Sequence, residues 1–573
     1  MTLRLIAVLL TLIAFSAYAR EAKSKLDSDL HSTRPDEAVN VIVRYKPSAS
    51  DALIESPPVP GGKLSHNLRL LHASALSIHG RDLNALANNP NVESVVPDRQ
   101  VQASAFSGTE DYGWMAVSGI FTPTGNLPYD GTGISVAVID SGINDEEDLK
   151  DSGGHNRIVY KQSFVAGDNH PDDLNGHGVH VAGIIAGTGK KSTGSQYRYR
   201  IRGIAPNAKI VSLRVLDKYG RGTDSAVIAA IQKAIQLKAL YNIRVMNLSL
   251  GRPVSGSYQS DLLCQAVQQA WTAGIVVVVS AGNEGRNNSF GTQGYATISA
   301  PGNSPSVITV GAMNTVGTLS RADDKMTSYS SKGPTLIDHV VKPDLVAPGN
   351  RILSLRDDKS YLDATYSANR VPVFLYSTST SISTPDYFQL SGTSMAAPMV
   401  SGAAAVLLQM HPSWTPDQVK AVLMLTASKF PQTFSVSIDS TTGVAYTSQY
   451  DIFTIGAGYL DIQAAIACND MIRGTAQSPS ASFDSATGNV YLVSDPSAVW
   501  DTNAVWGSNA VWGSNAVWGS NAIWGSNAIW GSNAVWGSTG PSGFAAIWGI
   551  NAIWGSVTPI TSDVDTVTVN GDN

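Results

Sequence analysis

Ser135-Val-Ala-Val-Ile-Asp140-Ser-Gly142 decides the fold of this chain. Its β-branched apolar run is the pattern of a strand buried on both faces of a parallel sheet, and Asp140 closes it at the carboxyl end. Runs of the same kind follow at Lys209–Val215, Arg244–Leu248, Ile275–Val279 and Val307–Val310. Between them, Ser225–Leu240 places Val227, Ile228, Ile231 and Ile235 on one helical face. Leu262–Ala273 does likewise and ends at Gly274, a residue suited to a helix C-cap. Strand and helix in alternation predict an α/β fold, a mostly parallel sheet with helices on both faces and ligands at the strand carboxyl ends.

Two further segments carry reactive side chains. Asn175-Gly-His177-Gly-Val-His-Val-Ala-Gly183 and Ser391-Gly-Thr-Ser394-Met-Ala-Ala-Pro398 each present a His or Ser soon after a Gly, at the opening of an Ala/Val-rich helical stretch. A serine hydroxyl is a weak nucleophile that needs an imidazole base, and the imidazole needs a carboxylate to hold its tautomer. Asp140, His177 and Ser394 supply that set, and Ser394 at a helix N-terminus lies near free N–H groups suited to an oxyanion. The constellation reads as a serine hydrolase. His180, one turn into the same apolar stretch, reads as a structural imidazole.

The order Asp…His…Ser is the subtilisin order, and at these residues the chain resembles the subtilisin-like serine peptidases. The resemblance spans roughly residues 106–470. Ser280-Ala-Gly-Asn283-Glu-Gly285 is similar to the family's oxyanion segment, which implies the Asn283 amide as a donor. Val215-Leu-Asp-Lys-Tyr-Gly220-Arg-Gly222 and Asn247-Leu-Ser249-Leu250-Gly251 resemble its two substrate-lining strands, so Gly220, Gly222, Ser249, Leu250 and Gly251 are the expected substrate contacts. Lys342-Pro-Asp-Leu-Val-Ala-Pro-Gly349 resembles the loop approaching the nucleophile helix. Val179 departs from the pattern, which more often has Thr, and puts one local hydrogen bond in question. The resemblance implies protein or peptide substrates and no cofactor for the chemistry. Structural calcium is a family trait, yet no ligand set here has diagnostic spacing. The acidic stretch Asp168–Asn175 reads as a solvated loop leading to His177.

Charged residues make up 15% of the 573-residue chain, below the usual ~25%. The net charge of -6, without a basic block, argues against a nucleic-acid partner. Arg4, the apolar run Leu5–Phe15 and Ala17-Tyr-Ala19 have the layout of a secretory signal cut after Ala19. Cys264 and Cys468 are the two cysteines; a disulfide between them and a buried free thiol at Cys264 both remain open.

These observations divide the chain into a signal peptide (1–19), a small α+β unit (20–105), a peptidase domain (106–472), a linker (473–497), Trp-rich repeats (498–556) and a tail (557–573). The α+β unit alternates at Val39–Tyr45 and Ala73–Ile78, has a helical segment at Arg81–Ala87 and a strand at Val92–Val96. It resembles the inhibitory propeptide of the family, whose C-terminal stretch lies in the cleft as first substrate. Residues 355–390, rich in Ser, Thr and Tyr, read as surface loops or hairpins near the nucleophile. After Ile472, Ser, Ala, Pro and Gly mark the linker. A six-residue repeat, Asn-Ala-Val/Ile-Trp-Gly-Ser, then holds nine of the twelve tryptophans. Its even period suits short stacked strands, and its composition suits disorder equally. A rival reading makes that repeat the functional part of a cell-surface binding protein, and it offers the peptidase a cell-envelope partner.

Overall fold

The computed structural model describes residues 25–103, 129–484 and 489–493, with short gaps at 56–58, 60, 199, 290, 319, 383, 431 and 470–473, together with Val511–Trp512 and Asp572. The expected leader and most of the Trp repeat lie outside the described residues.

The N-terminal unit is built on β1 (Ala38–Tyr45), β2 (Lys63–Leu68), β3 (Ala73–His79), α1 (Leu83–Asn88) and β4 (Val92–Pro97). Its antiparallel sheet runs β2-β3-β1-β4. Val41, Val43, Leu76, Ile78, Leu83, Leu86, Val92 and Val95 form its own core. The strand β2 follows Gly61-Gly62 and adds to the segments expected from the sequence. A further strand, β5 (Gln100–Ala103), leaves this unit and belongs to another sheet.

The larger body is organised by β6 (Ser135–Asp140), β7 (Ile158–Ser163), β8 (Lys209–Arg214), β10 (Ile243–Leu248), β12 (Val276–Ser280), β13 (Ile308–Asn314), β14 (Lys325–Met326) and β15 (Leu345–Pro348). They lie in the order β14-β13-β12-β10-β6-β8-β7, with β15 also on β13, and every pairing except β13–β14 is parallel. All six residues of β6 and all five of β12 are buried, as their unbroken apolar runs require. Helices α2 (His177–Ala186), α3 (Asp224–Tyr241), α4 (Leu262–Thr272), α6 (Thr393–Met410) and α7 (Pro416–Leu425) enclose the sheet. The expected alternation is therefore the observed one, and it places the ends of β6, β10 and β12 along one edge.

Three local features differ from the sequence reading or resolve it. The 355–390 insertion is tied in by β16 (Ile352–Leu355) pairing with β17 (Tyr387–Leu390), and carries a short helix, α5 (Tyr361–Thr365). Leu174 O and Asn175 O accept from the Tyr361 and Leu362 amides at 3.0 and 2.9 Å, so the insertion braces the loop before His177. Both cysteines are free thiols; Cys264 is buried, and burial pushes its thiol up.

The expected linker is the third. Ala476 is buried and donates its N–H to Asp417 Oδ1 at 2.6 Å. The Ser478 hydroxyl lies between the buried Asp344 carboxylate (2.5 Å) and the Lys420 ammonium (2.9 Å). β20 (Ser480–Asp484) then pairs with β21 (Asn489–Val493), and β21 with β22 (Val511–Trp512). Residues 476–482 are thus part of the packed body, because small polar side chains are buried at little cost when buried ions supply their partners.

Candidate active site

The chain folds so that Asp140 is the last residue of β6, Ser249 follows β10, and Ser280-Ala281 end and follow β12. His177 is the first residue of α2, and Ser394 the second of α6. Strands β6 and β10 are neighbours and α2 packs on α6, so the three motifs converge at one edge of the sheet. Asp140 and His177 form a buried pair, with His177 Nδ1 2.7 Å from Asp140 Oδ1. The Ser141 amide also donates to Asp140 Oδ1, at 2.7 Å. A carboxylate on Nδ1 fixes the proton there and leaves Nε2 as the basic nitrogen. Nε2 is buried without a hydrogen-bond partner.

Glycines let these segments approach. Gly176 has φ +101°, and a side chain there would run into Ser360 of the insertion. A Cβ at Gly178 would strike the Gly142 carbonyl, so close passage of the Asp140 and His177 loops needs Gly at that point. The Ser394 hydroxyl donates to the Ser249 carbonyl at 3.0 Å, and the Ser249 hydroxyl donates to the Ser394 carbonyl at 2.8 Å. This reciprocal pair fixes the first turn of α6 against one of the expected substrate strands.

Asn283 is oriented by the residue before Ser394. Its Oδ1 accepts from the Thr393 amide and the Thr393 hydroxyl, both at 3.0 Å. With the oxygen of this half-buried side chain occupied, its NH2 group is the donor end of the amide. Thr393 Oγ1 in turn accepts from the Gly282 amide at 3.2 Å. Such an arrangement offers a fixed amide donor beside a hydroxyl at a helix N-terminus.

The expected substrate strands flank β5. Strand β9 (Arg221–Thr223) pairs with it through Gln100↔Thr223, Val101↔Gly222 and Gln102↔Arg221. On the other side β11 (Leu250–Gly251) pairs through Gln102↔Gly251 and Ala103↔Leu250. Gly222, Leu250 and Gly251 thus border an extended chain as a strand pair would border a peptide; Gly220, φ +75°, forms the turn before β9, and Ser249 lies next to the Ser394 hydroxyl. The Val101 side chain is fully buried, packed close to Gly222.

Several residues essential to this geometry escaped the sequence reading. Arg252, next after Gly251, is buried and reaches Asp224 at 2.9 Å and Asp261 at 2.7 Å, so it ties the β9 and β11 segments together. Losing one partner of such a buried group costs about 3–5 kcal/mol. The loop read as solvated is split. Its outer Asp168 and Asp172 pair with Arg214 and Lys161, whereas Asp173 is buried. Asp173 accepts from the Asn175, Gly176 and Val179 amides at 2.8–2.9 Å and so caps the His177 helix. Burial, then the Asp140 charge, raises its carboxyl above the usual range. The Val179 backbone keeps its bond, and its side chain is simply buried. His180 donates Nε2–H between Ile352 O (3.1 Å) and Phe388 O (3.0 Å). Burial pushes it down to about 3, so it is neutral at working pH. Among the described residues, no group of three or more His, Cys, Asp or Glu side chains is placed to hold a metal ion.

Comparison with known proteins follows the same lines. The Subtilase family matches residues 131–458. Serine protease AprX of Bacillus subtilis (strain 168) is 38% identical over 348 residues, covering 59% of this chain and 70% of that protein. Subtilisin E of the same organism is 34% identical over 377 residues, covering 65% and 80%. The crystal structure of fervidolysin from Fervidobacterium pennivorans superposes with a TM-score of 0.55 at 23% identity, over 77% of this chain and 62% of that one, and shares the fold. The chain belongs to the subtilase family, and it is a subtilisin-like serine endopeptidase.

Proposed function

We propose that this chain is a secreted, self-processing zymogen in which Ser394 attacks the peptide carbonyl and forms an acyl-enzyme. His177 takes the hydroxyl proton at Nε2 and returns it to the leaving amine, while Asp140 orients the ring and stabilises the imidazolium. The Asn283 amide and the Ser394 N–H hold the oxyanion, and no cofactor enters the chemistry. Substrates add as a third strand between 220–222 and 249–251. The single observation that carries the zymogen reading is β5: residues 100–103, the end of the N-terminal unit, lie as that third strand. In the same reading residues 20–105 are an inhibitory propeptide that covers the cleft until its tail is cut. The Trp repeat at 498–556 remains a proposed contact to the cell envelope, and Ala19 the proposed signal cleavage point.

The register makes the cut site specific. Gln102 pairs with Gly251 and Ala103 with Leu250, so the observed pairing ends one residue short of Ser249. We expect the mature chain to begin at Ala105, after cleavage of the Ser104–Ala105 bond. Mass mapping of the mature N-terminus checks this; a start more than two residues away would mean that β5 is not bound in the reactive register.

Release of the cut unit is expected to depend on pH through Asp98. Its carboxylate accepts from the Ser225 amide at 2.8 Å and from the Ser225 hydroxyl, at the start of α3. Burial, with the Asp224 charge adding to it, pushes the carboxyl up to about 6, against about 3.9 for a free Asp. The docked state therefore holds a proton that the free unit gives up between those values. Docking is strongest below about pH 4 and weakens until about pH 6, where the loss is complete. Dissociation is expected to be on the order of ten- to a hundredfold easier at pH 7 than at pH 4. Asp98→Asn is expected to flatten this dependence. Equal pH dependence in both proteins, followed by gel filtration of the processed complex, would assign the effect elsewhere.

A further inference from the structure

We propose that Arg286, Ser328 and Asn350 form a docking site for an aspartyl residue in an extended peptide, and that Asp572 of this chain is its occupant. Asp572 is fully buried, far in sequence from the rest of the site. Both oxygens of its carboxylate are gripped. Arg286 Nη2 and the Ser328 hydroxyl donate to Oδ1 at 2.8 and 2.6 Å, and the Ser328 amide donates to Oδ2 at 2.6 Å. Its backbone is read separately by the side chain of Asn350. The Asp572 N–H donates to Asn350 Oδ1 at 3.1 Å, and Asn350 Nδ2 donates to Asp572 O at 3.2 Å. A bridge to Asp439 completes the extended pairing.

Holding the backbone and the carboxylate together selects Asp over Glu, whose carboxylate stands one methylene further out. The site is also built independently of its ligand. Arg286 is already fixed by Asp439 at 3.0 Å and lies over the rings of Tyr329 and Tyr446, 6.0 and 5.6 Å from their centroids. Arg286 is three residues beyond Asn283, and Asn350 follows Gly349, whose carbonyl accepts from the Gly392 amide at 2.7 Å. Occupancy therefore braces the segments that carry Asn283 and Ser394.

The test uses the full chain carrying Ser394→Ala, with intactness checked by mass. In a Cys468→Ser background, Ser328→Cys with Asp572→Cys is expected to form an intrachain disulfide, mapped by peptide mass. No cross-link, or one between two copies, overturns the proposal. In parallel, Asp572→Ala is expected to speed hydrogen exchange at the Ser328 amide and in residues 284–287 by about tenfold or more, the loss of a hydrogen bond to a charged group. Exchange unchanged in those segments also overturns it. Neither readout involves catalysis, so failure here is distinct from failure of the peptidase mechanism.

Discussion

Ser394→Ala is expected to lower kcat by about 10⁶-fold and to leave the precursor uncut at residue 104. The size of the effect follows from the roles proposed for the three groups. Asp140 and His177 form a buried pair at 2.7 Å, but that pair has nothing to activate once the hydroxyl is gone. What survives is the amide of Asn283 and the helix N-terminus acting on a water attack, about 10³–10⁴-fold over solution. His177→Ala is expected to cost nearly as much, and the double variant little more, because the residues act as one unit. Processing is the more sensitive readout, since residues 100–103 already lie paired between the two expected substrate strands. Purified Ser394→Ala precursor that matures with no other protease present would remove self-cleavage from the mechanism.

Asn283→Ala is expected to reduce kcat by about 10²–10³-fold with KM little changed. On the proposed mechanism the residue acts only on charge that develops in the transition state, so the loss is expected to fall on kcat. Its orientation is imposed from the nucleophile side, since Thr393 holds Oδ1 with two donors at 3.0 Å. An amide donor held in this way is preorganised before substrate arrives, as the proposed oxyanion role requires. A variant whose deficit appears mainly in KM would reduce Asn283 to a wall of the cleft.

The parts of this site that the sequence displayed are those fixed locally. Asp140 stands out because a buried parallel strand must be apolar until it ends, and a carboxylate closing such a run stands at the strand end where ligands bind. Gly176-His177-Gly178 and Gly392-Thr393-Ser394 stand out because close loop passage admits only glycine at particular backbone positions. The strand runs of the central sheet were legible for the same reason, their pattern being set by burial on both faces. Except for Asp173, whose partners lie two to six residues on, what escaped was fixed by partners distant in the chain. Asp173 looks like any other acid in its loop until three amides of the His177 segment turn onto it. Arg252 has no local pattern that foretells Asp224 and Asp261. Ala476 and Ser478 sit in a stretch whose composition suggests a linker, and only Asp344, Asp417 and Lys420 make burial favourable there. Asp572 is the extreme case, an unremarked acid whose site is assembled from residues 286, 328 and 350.

The central claim, that Ser394 is the nucleophile activated by His177, is tested most directly by labelling with a serine-directed fluorophosphonate. Mature enzyme is expected to take up one label per chain, mapped by mass spectrometry to the peptide containing Ser394, with loss of peptide hydrolysis in step. His177→Ala, matured by an added protease, is expected to remain unlabelled on the same timescale. Labelling at another serine, or hydrolysis that persists once Ser394 is fully modified, would contradict the account.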